Sequence, residues 1–420
     1  MDKIVVWGGV PLRGEIAVSG SKNAALPLLF AALLTADECR IDQVPQLIDI
    51  RTALRLLRDL GVHYDWLSDT EVALQASGVH HQEASYELVK TMRASFLVLG
   101  PLLARFGRAR VSTPGGCAIG ARPVNIHLDG LQQLGAAIRV QQGYVEAEAK
   151  RLRGAHITLE FPSVGATENL MMAATLAEGT TVLENAAREP EIEDLALMLN
   201  AMGAQVSGAG SSTLRIDGVS SLHGATHTVI PDRVEAGTFL IAGAVTSGDV
   251  FVRGGRSDHL GAFLSTLREA GVHVEETTDG IRASGAGRPI SVDFITQPYP
   301  GFPTDLQAQM MALLTLSDGC SVLTETIFEN RFLHAQELAR LGADIRIHGN
   351  TAEVRGVAFL SGAPVMATDL RASVSLVLAG LAAHGVTEVS RVYHLDRGYE
   401  RIEEKLSQLG ADIRRVKSEK

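Results

Sequence analysis

The sequence predicts an α/β fold built from six repeats of about 70 residues, with buried helices covered by strands. The first observation is a phrase that recurs in every repeat, in which an amphipathic helix stops at a glycine and a strand follows. Glycine suits this stop because it adopts the left-handed backbone conformation without a side-chain clash. Successive glycines are 74, 68, 68, 71 and 68 residues apart. They are Gly61, Gly135, Gly203, Gly271, Gly342 and Gly410.

A second marker has the same period. In each repeat an apolar helix ends in a turn that leads into a β-branched strand, and the turn residues are Asp37, Gly107, Gly179, Gly248, Gly319 and Gly385. These helices are apolar nearly all round, which predicts that they are buried. We predict them at Ala24–Leu34, Ala94–Ala104, Leu170–Ala177, Thr238–Val245, Met310–Leu316 and Ser373–Ala383.

The six repeats divide as three plus three, and the midpoint falls within residues 228–233. We therefore place a change of domain there. No Pro- or Ser-rich linker marks it, which indicates closely coupled domains. The repeats alone leave open which half takes the N-terminal strands Ile4–Val6 and Glu15–Val18.

Composition and charge exclude several classes of function. The chain has 420 residues and a net charge of −10, whereas a nucleic-acid-binding surface is normally basic. Three cysteines, far apart and odd in number, give neither a disulfide framework nor a metal-binding spacing. The longest apolar run, 24–34, is too short to cross a membrane, and the N-terminal apolar run is too short for a signal peptide. We expect a soluble, cytoplasmic chain.

The stretch Thr113–Arg122 carries a candidate reactive thiol. Three glycines and a proline within it predict a loop rather than a helix or a central strand. Cys117 lies at its middle, and a cation nearby, here Arg122, favours the reactive thiolate. These residues alone leave open that Cys117 is an incidental cysteine on a surface loop.

Several of the buried helices begin with residues that suit an anion. Ser21-Lys22-Asn23 precedes the first helix, and Ser163-Val164-Gly165 precedes the third. Unpaired N–H groups at such a helix start favour phosphate, although a capping serine beside a solvated lysine would give the same pattern. Asp305 and Asp369, at the starts of the fifth and sixth helices, are explained by capping alone.

Arginines at helix starts are not explained by capping. Arg93, Arg233 and Arg371 stand where a cation opposes the helix macrodipole, so each needs a compensating anion. They predict a basic cleft inside an acidic protein, with a ligand that carries several negative charges. The other cations assigned to this cleft are Lys22, Arg122, Arg331 and Arg397.

The remaining chemistry-bearing residues indicate no further site. Cys39 and Cys320 lie in strand-like stretches, and both are predicted to be small core residues. The histidines show no paired spacing typical of a metal site. The sequence has no phosphate-binding glycine loop, no dinucleotide fingerprint and no Ser/His/Asp signature.

Eight stretches match a known family, and together they span the chain. They are SGSKNAALP (19–27), KTMRAS (90–95), PGGCAIGARPV (114–124), SVGAT (163–167), ENAAREPEI (184–192), FPTDLQAQ (302–309), TDLRAS (368–373) and HLDRGYERIE (394–403). On these stretches the chain resembles the UDP-N-acetylglucosamine 1-carboxyvinyltransferases, also called UDP-N-acetylglucosamine enolpyruvyl transferases. The cysteine loop is the specific feature, because the relatives that make 5-enolpyruvylshikimate 3-phosphate share the fold and lack that loop.

The resemblance implies a two-domain, inside-out α/β barrel with domains of residues 22–230 and of residues 1–21 plus 231–420. It implies that the enolpyruvyl group of phosphoenolpyruvate moves to the 3-hydroxyl of UDP-N-acetylglucosamine, with release of phosphate. This is the first committed step of peptidoglycan synthesis and the target of fosfomycin. The resemblance implies no metal or organic cofactor, no nucleic acid, no membrane and no obligate protein partner.

The resemblance also implies site residues. Cys117 is the expected proton donor and forms a covalent adduct with phosphoenolpyruvate. Asp305 is the candidate base for the sugar hydroxyl, or its positioner, and Asp369 is a partner in proton handling. Lys22 and Arg397 complete the catalytic set. Phosphoenolpyruvate is expected to bind Lys22, Arg122, Arg371 and Arg397. The other substrate contacts, expected chiefly at the UDP-sugar, are Asn23, Arg93, Arg122, Pro123, Val124, Asn125, Ile126, Ser163, Val164, Gly165, Asp305 and Ile327.

Two positions depart from the family pattern. Asn125 stands where many relatives carry Asp, and an amide both donates and accepts, so the geometry at the uracil is expected to differ. Phe161-Pro162 stand where some members have a lysine, which removes one cation expected at the UDP pyrophosphate. Neither departure touches the chemical step.

Two alternatives are distinguished by assay. Transfer to another hydroxyl acceptor, such as shikimate 3-phosphate, predicts that phosphate is released only with that acceptor. A duplicated, non-catalytic scaffold or sugar-nucleotide sensor predicts binding of the UDP-sugar without release of phosphate. The combination of Lys22, Cys117, Asp305 and Arg397 argues against the second alternative.

Overall fold

The computed structural model describes residues 2–114 and 124–417. The strands of this part of the chain are β1 (Asp2–Trp7), β2 (Arg13–Ala17), β3 (Glu38–Asp42), β4 (His63–Trp66), β5 (Val72–Gln75), β6 (Glu83–Ala84), β7 (Arg108–Ser112), β8 (Ala137–Gln141), β9 (Tyr144–Glu148), β10 (His156–Thr158), β11 (Thr180–Glu184), β12 (Gln205–Ser207), β13 (Thr213–Asp217), β14 (Thr226–Thr228), β15 (Asp249–Arg253), β16 (His273–Glu276), β17 (Gly280–Ser284), β18 (Phe294–Ile295), β19 (Cys320–Thr324), β20 (Asp344–His348), β21 (Thr351–Arg355), β22 (Pro364–Met366), β23 (Val386–Ser390) and β24 (Asp412–Lys417).

The helices of the same residues alternate with the strands. The α-helices are α1 (Lys22–Ala31), α2 (Ile48–Leu60), α3 (Tyr86–Val89), α4 (Leu99–Phe106), α5 (Asn125–Gln133), α6 (Val164–Ala174), α7 (Pro190–Ala201), α8 (Arg233–Val245), α9 (Gly261–Glu269), α10 (Gln307–Leu314), α11 (His334–Arg340), α12 (Leu370–Ala382) and α13 (Ile402–Gln408). Short 3₁₀ helices are Ala32–Leu34, Ala76–Gly78, Arg93–Val98, Ser257–His259, Thr304–Leu306 and Val392–Arg397. None of these helices is long and apolar enough to cross a lipid bilayer.

Two compact units divide the described residues. The N-terminal unit comprises residues 20–114 and 124–230, and the C-terminal unit comprises residues 2–19 and 231–417. Each unit has its own hydrophobic core. Each also has three four-stranded sheets, which confirms the predicted α/β class and the repeat.

One pairing pattern describes all six sheets, in which a parallel pair of strands is followed by two antiparallel pairs. In the third repeat the order is β10-β11-β13-β12, where β10 and β11 are parallel and the other two pairs are antiparallel. A buried helix, here α6, connects the two parallel strands, as parallel pairing requires a crossover. The second repeat, β6-β7-β9-β8, and the fifth, β18-β19-β21-β20, have the same order.

Three strands join sheets that are far away along the chain. In the N-terminal unit β14, the last strand, pairs with β3 of the first repeat. In the C-terminal unit β2 pairs with β15 of the fourth repeat, and β1 lies between β23 and β24 of the sixth. The repeats left open which half of the chain takes the N-terminal strands β1 and β2. Both strands complete sheets of the C-terminal unit, whose other strands lie in the last 190 residues.

The internal helices of the C-terminal unit pack on one another. Helices α8, α10 and α12 are in mutual contact, and α8 is buried from Val234 to Val245. Glycine permits this approach, because a Cβ on Gly237 would lie 2.7 Å from the side chain of Leu306. The predicted burial of these helices is confirmed for all six repeats.

The helix-stop glycines have the predicted left-handed conformation. Their φ angles lie between +84° and +104° in all six repeats. Among the glycines of the second marker, Gly248 differs: the preceding residue, Ser247, takes the left-handed conformation instead, at φ +51°.

The structure corrects the starts of the buried helices. Five of them begin before the predicted first residue; the third begins at Val164 rather than Leu170, and the fourth at Arg233 rather than Thr238. In the second repeat the predicted start at Ala94 falls in the 3₁₀ helix Arg93–Val98, and α4 begins only at Leu99. Polar residues near the helix starts, such as the buried Glu168 of α6, interrupt the apolar pattern from which the starts were predicted.

The prediction for one cysteine is wrong. Cys39 is buried in β3, and burial raises the pKa of its thiol. Cys320 is exposed, because it begins the alternating strand β19 on the face that points away from the core.

Candidate active site

The start of α1 in the N-terminal unit holds a buried lysine. Ser21 caps the helix, since its hydroxyl accepts a hydrogen bond from the Ala24 amide at 3.3 Å. The ammonium of Lys22 lies 3.3 Å from Oδ2 of Asp49, and Lys22 is only 9% exposed. The solvated lysine that the sequence left open is therefore excluded. Asn23, next in the chain, is half-buried.

The start of α6 faces a buried histidine. Ser163 caps α6 through its hydroxyl, which accepts from the Ala166 amide at 3.3 Å. At Gly165 an added Cβ would lie 3.4 Å from Cε1 of His127, so the imidazole lies directly against this first helical turn. His127 is on α5, which packs against α6.

Hydrogen bonds fix the tautomer of His127. The Gly100 amide donates to Oδ1 of Asn169 at 2.7 Å, so the amide nitrogen of Asn169 faces Nδ1 of His127, at 3.1 Å. Nδ1 must then accept, and the proton of the neutral ring is on Nε2. Burial, and after it the charge of Arg93, lower the pKa of His127 to about 4. The ring is a neutral donor.

We expect His127 to make the protein less stable in acid. Because the pKa is about 4 in the folded chain and near 6.5 when unfolded, the unfolded chain binds more protons between these values. The stability is complete above pH 6.5 and is lost as the pH falls to 4, by up to about 3 kcal/mol. Urea unfolding at pH 7, 5.5 and 4.5 should show a flatter profile for His127→Gln. An unchanged slope would contradict this; His63→Gln, at an exposed histidine, is the control.

Other predicted residues of the N-terminal unit lie around these helix starts. Arg93 begins the 3₁₀ helix Arg93–Val98, which contacts both α1 and α6. Val124 precedes α5, and Asn125 and Ile126 are its first residues. Val164 and Gly165 are the first residues of α6. Cys117, Arg122 and Pro123 lie outside the described residues.

In the C-terminal unit Asp305 is held by two buried arginines. Its Oδ1 accepts from Nη2 of Arg331 at 2.6 Å, and its Oδ2 accepts from Nη2 of Arg371 at 2.8 Å. The arginine side chains are 4% and 6% exposed, whereas that of Asp305 is 28% exposed. Burial lowers the pKa of Arg371, but the charge and hydrogen bond of Asp305, together with Tyr399 and Asp232, raise that pKa above the ordinary arginine value. The carboxylate of Asp305 is the anion that Arg371 needed at its helix start.

A buried tyrosine supports the same arginine. The hydroxyl of Tyr399 lies 3.4 Å from Nη1 of Arg371 and 2.9 Å from the hydroxyl of Thr238. Gln309 donates to the backbone oxygen of Asp305 at 2.9 Å. Hydrogen bonds thus connect Asp305 and Arg371 to the buried residues of α8 and α10.

One buried carboxylate connects the loops that carry Asp305 and Ile327. Glu325 accepts from the hydroxyl of Thr304 at 2.9 Å, and Thr304 precedes Asp305. It also accepts from the amides of Ile327 at 2.7 Å and Phe328 at 3.2 Å. Glu325 was not predicted from the sequence. The only sign of it was a carboxylate directly after the apolar strand β19, outside the stretches that match the family.

Asp369 is both a cap and a neighbour of titratable groups. Its Oδ1 accepts from the amides of Arg371 at 2.9 Å and Ala372 at 3.1 Å, as the capping interpretation predicts. Burial, then the charge of Arg397, lower the pKa of His394, while Asp369 opposes that shift. Burial also lowers the pKa of His334 to about 4, again opposed by Asp369. Asp369 and Arg397 therefore act on His394 with opposite charges.

Each unit thus supplies buried cations beside a capped helix start. Such starts suit phosphate and carboxylate groups, because backbone N–H groups and a fixed charge act together. In the C-terminal unit a partly exposed carboxylate stands among the cations, and it can accept a proton or a hydroxyl hydrogen bond. His127, like Glu325, was not predicted from the sequence, since the histidines were considered only for metal spacing.

Comparison with known proteins gives a full-length match. Residues 6–406 match the EPSP synthase (3-phosphoshikimate 1-carboxyvinyltransferase) family. The UDP-N-acetylglucosamine 1-carboxyvinyltransferase of Geobacter metallireducens is 58% identical over 417 residues, which cover 99% of this chain and 100% of the relative. Proteins of the same name from Geotalea uraniireducens and Granulibacter bethesdensis are also 58% identical, over 416 and 418 residues, with the same coverage.

Solved structures share the fold. The enolpyruvyl transferase NikO from Streptomyces tendae superposes with a TM-score of 0.89 at 27% identity, covering 100% of this chain and 99% of that one. An EPSP synthase from Acinetobacter baumannii superposes with a TM-score of 0.79 at 19% identity, covering 99% of this chain and 100% of that one. At this lower identity the likeness concerns the fold alone.

Proposed function

Because the chain belongs to the EPSP synthase family, we propose that it transfers the enolpyruvyl group of phosphoenolpyruvate to the 3-hydroxyl of UDP-N-acetylglucosamine, with release of phosphate. The observation that carries this assignment is the identity of 58% over essentially the whole length of three proteins with that activity in their name. The chain is a transferase of peptidoglycan synthesis. We place it in the cytoplasm, where both substrates are available, without a metal or an organic cofactor.

The charges of phosphoenolpyruvate support the assignment of a group of cations to this substrate. Phosphoenolpyruvate has a phosphate and a carboxylate, and we assign Lys22, Arg122 and Arg397 to it, with Arg371 nearby. The buried position of Lys22 supports this role, because a cation held against a helix start binds an anion with little loss of side-chain freedom.

The addition step needs two proton transfers, and we assign them to two residues. In the addition step the sugar oxygen bonds to C2 of phosphoenolpyruvate, C3 gains a proton from Cys117, and the sugar hydroxyl loses its proton to Asp305. In the elimination step the bond from C2 to the phosphate oxygen breaks, its electron pair leaves with the phosphate, and C3 gives a proton to a basic side chain of the site, so that the C2–C3 double bond forms again. Asp305 can act while Arg331 and Arg371 hold it, because each carboxylate oxygen has a further lone pair and the side chain is partly exposed. Asp369 is proposed to assist in proton handling.

The UDP-sugar is assigned to the helix starts of the N-terminal unit. Arg93 and the capped first turn of α6 suit the pyrophosphate, and Nε2–H of His127 adds a neutral donor beside them. Ile327, whose amide is fixed by Glu325, is assigned to the same ligand. Asn23 and residues 122–126 complete the proposed contacts.

A phosphate-release assay tests the function. We expect the protein to release phosphate from phosphoenolpyruvate with UDP-N-acetylglucosamine and not with shikimate 3-phosphate. Release only with shikimate 3-phosphate would reassign the acceptor. Binding of the UDP-sugar without phosphate release would indicate a sensor rather than an enzyme.

We expect the epoxide fosfomycin to alkylate Cys117 alone. The thiol is proposed to lie beside cations that favour the thiolate, whereas Cys39 is buried with a raised thiol pKa and Cys320 lies on the outer face of a strand. Peptide mass spectrometry after labelling identifies the cysteine. Labelling that persists in Cys117→Ala would count against the assignment.

A further inference from the structure

Arg415 is an arginine on the core-facing side of an otherwise exposed strand end. It lies in β24 on the same face as the buried Ile413, whereas Arg414 and Val416 point to the exposed face. A charged group on the inner face of a sheet needs partners of opposite charge. Arg415 is 25% exposed in its side chain and has such partners.

Arg415 binds Asp396 and Glu403 with its whole guanidinium group. Nη1 donates to Oδ2 of Asp396 at 2.9 Å, and Nη2 donates to Oδ1 at 2.5 Å. Nε donates to Oε1 of Glu403 at 2.6 Å. Two parallel bonds to one carboxylate fix both its position and its orientation, in a way that a lysine could not reproduce.

Asp396 is the residue before Arg397 in the 3₁₀ helix Val392–Arg397. This turn is anchored in the core on either side of the pair, by Leu395 and by Tyr399, which are both almost completely buried. Asp396 is its polar anchor, and Arg415 holds it. The backbone that carries Arg397 is thus fixed at three neighbouring points.

The turn that carries Arg397 packs against α12. The charge of Arg397 is the second cause, after burial, of the lowered pKa of His394, a ring on which Asp369 also acts. Gly398, the next residue, packs so closely on Leu370 that a Cβ would lie 2.5 Å from that side chain. A small rotation of the turn would therefore move the guanidinium away from the proposed phosphoenolpyruvate site.

We propose that Arg415 is a positioning residue for phosphoenolpyruvate binding, which acts through Asp396 on Arg397. The proposal rests on the proposed function, because it takes Arg397 as a ligand of phosphoenolpyruvate. Arg415 itself touches no substrate. Nothing in the sequence pattern marks it, since it is one of two adjacent arginines near the C-terminus.

The two carboxylates that share Arg415 provide the test. Asp396→Asn removes the negative charge and one of the two acceptor oxygens next to Arg397, whereas Glu403→Gln makes the same change at the carboxylate that Arg415 binds on α13. We expect the KM for phosphoenolpyruvate to rise roughly tenfold in Asp396→Asn and in Arg415→Gln, because small misplacements of a binding group are costly. The KM for UDP-N-acetylglucosamine should stay within about twofold of wild type, and Glu403→Gln should change neither KM by more than that.

Arg414→Gln is the matched control for the arginine, since Arg414 is on the exposed face of the same strand and lies 3.8 Å from the exposed Asp412. The double variant Arg415→Gln, Asp396→Asn should show no further rise in KM, because both changes remove one interaction. A merely structural role predicts instead a lower Tm with equal effects of Asp396→Asn and Glu403→Gln, or losses for both substrates, and either result would overturn the proposal. Inactivity of the wild-type protein would reject the proposed function and this proposal together, whereas the results above would overturn the proposal alone.

Discussion

Asp305→Ala should lose turnover by about three orders of magnitude, the range expected when a general base is removed. The carboxylate is the proposed acceptor of the sugar hydroxyl proton, and it accepts from Arg331 and Arg371 in the structure. Its loss also leaves two buried guanidinium groups without this partner, so we expect the free energy of unfolding to fall by about 3 kcal/mol. Steady-state phosphate release and urea unfolding measure the two effects.

Asp305→Asn separates chemistry from stability. The amide keeps one acceptor oxygen for an arginine, and so it should retain more stability than alanine, while its turnover stays low because it cannot take a proton. Asp249→Asn, which weakens an exposed pair with Arg282, is the control. Near-normal turnover of Asp305→Asn would show that Asp305 is a positioner and not the base.

Arg397→Ala should raise the KM for phosphoenolpyruvate about 100-fold, which corresponds to about 3 kcal/mol for a charge-assisted contact. Binding of UDP-N-acetylglucosamine, measured by calorimetry, should change little. Arg340→Ala, at an exposed arginine of α11, is the control. Equal losses for both substrates would show that Arg397 is structural.

Periodicity made the fold predictable. The glycine stops recur because each helix must end in a left-handed residue before its strand, and this local requirement is visible in one sequence. The helix starts were less visible, because buried polar residues such as Glu168 interrupt the apolar pattern. Local patterns also cannot reveal that β1 pairs with strands nearly 400 residues away.

The site was predictable where residues match a family motif and less so elsewhere. Lys22 and Arg371 were singled out by their places at helix starts and Asp305 by the family resemblance, and the structure adds their contacts with Asp49 and Arg331. Residues that act on others, such as Glu325 and Arg415, escaped detection. Their role depends on contacts between distant segments, and no local spacing encodes them.

The pairing of β14 and β1 with strands that are distant along the chain sets the order in which the sheets can form during translation. The N-terminal unit has all of its strands once Thr228 has left the ribosome, whereas β1 must wait for β23 and β24 near the other end of the message. At ordinary rates of translation this wait lasts roughly tens of seconds. Throughout it β1, with the apolar residues Ile4, Val5 and Val6, lacks its sheet partners, and an unpaired apolar strand is a site where chains aggregate.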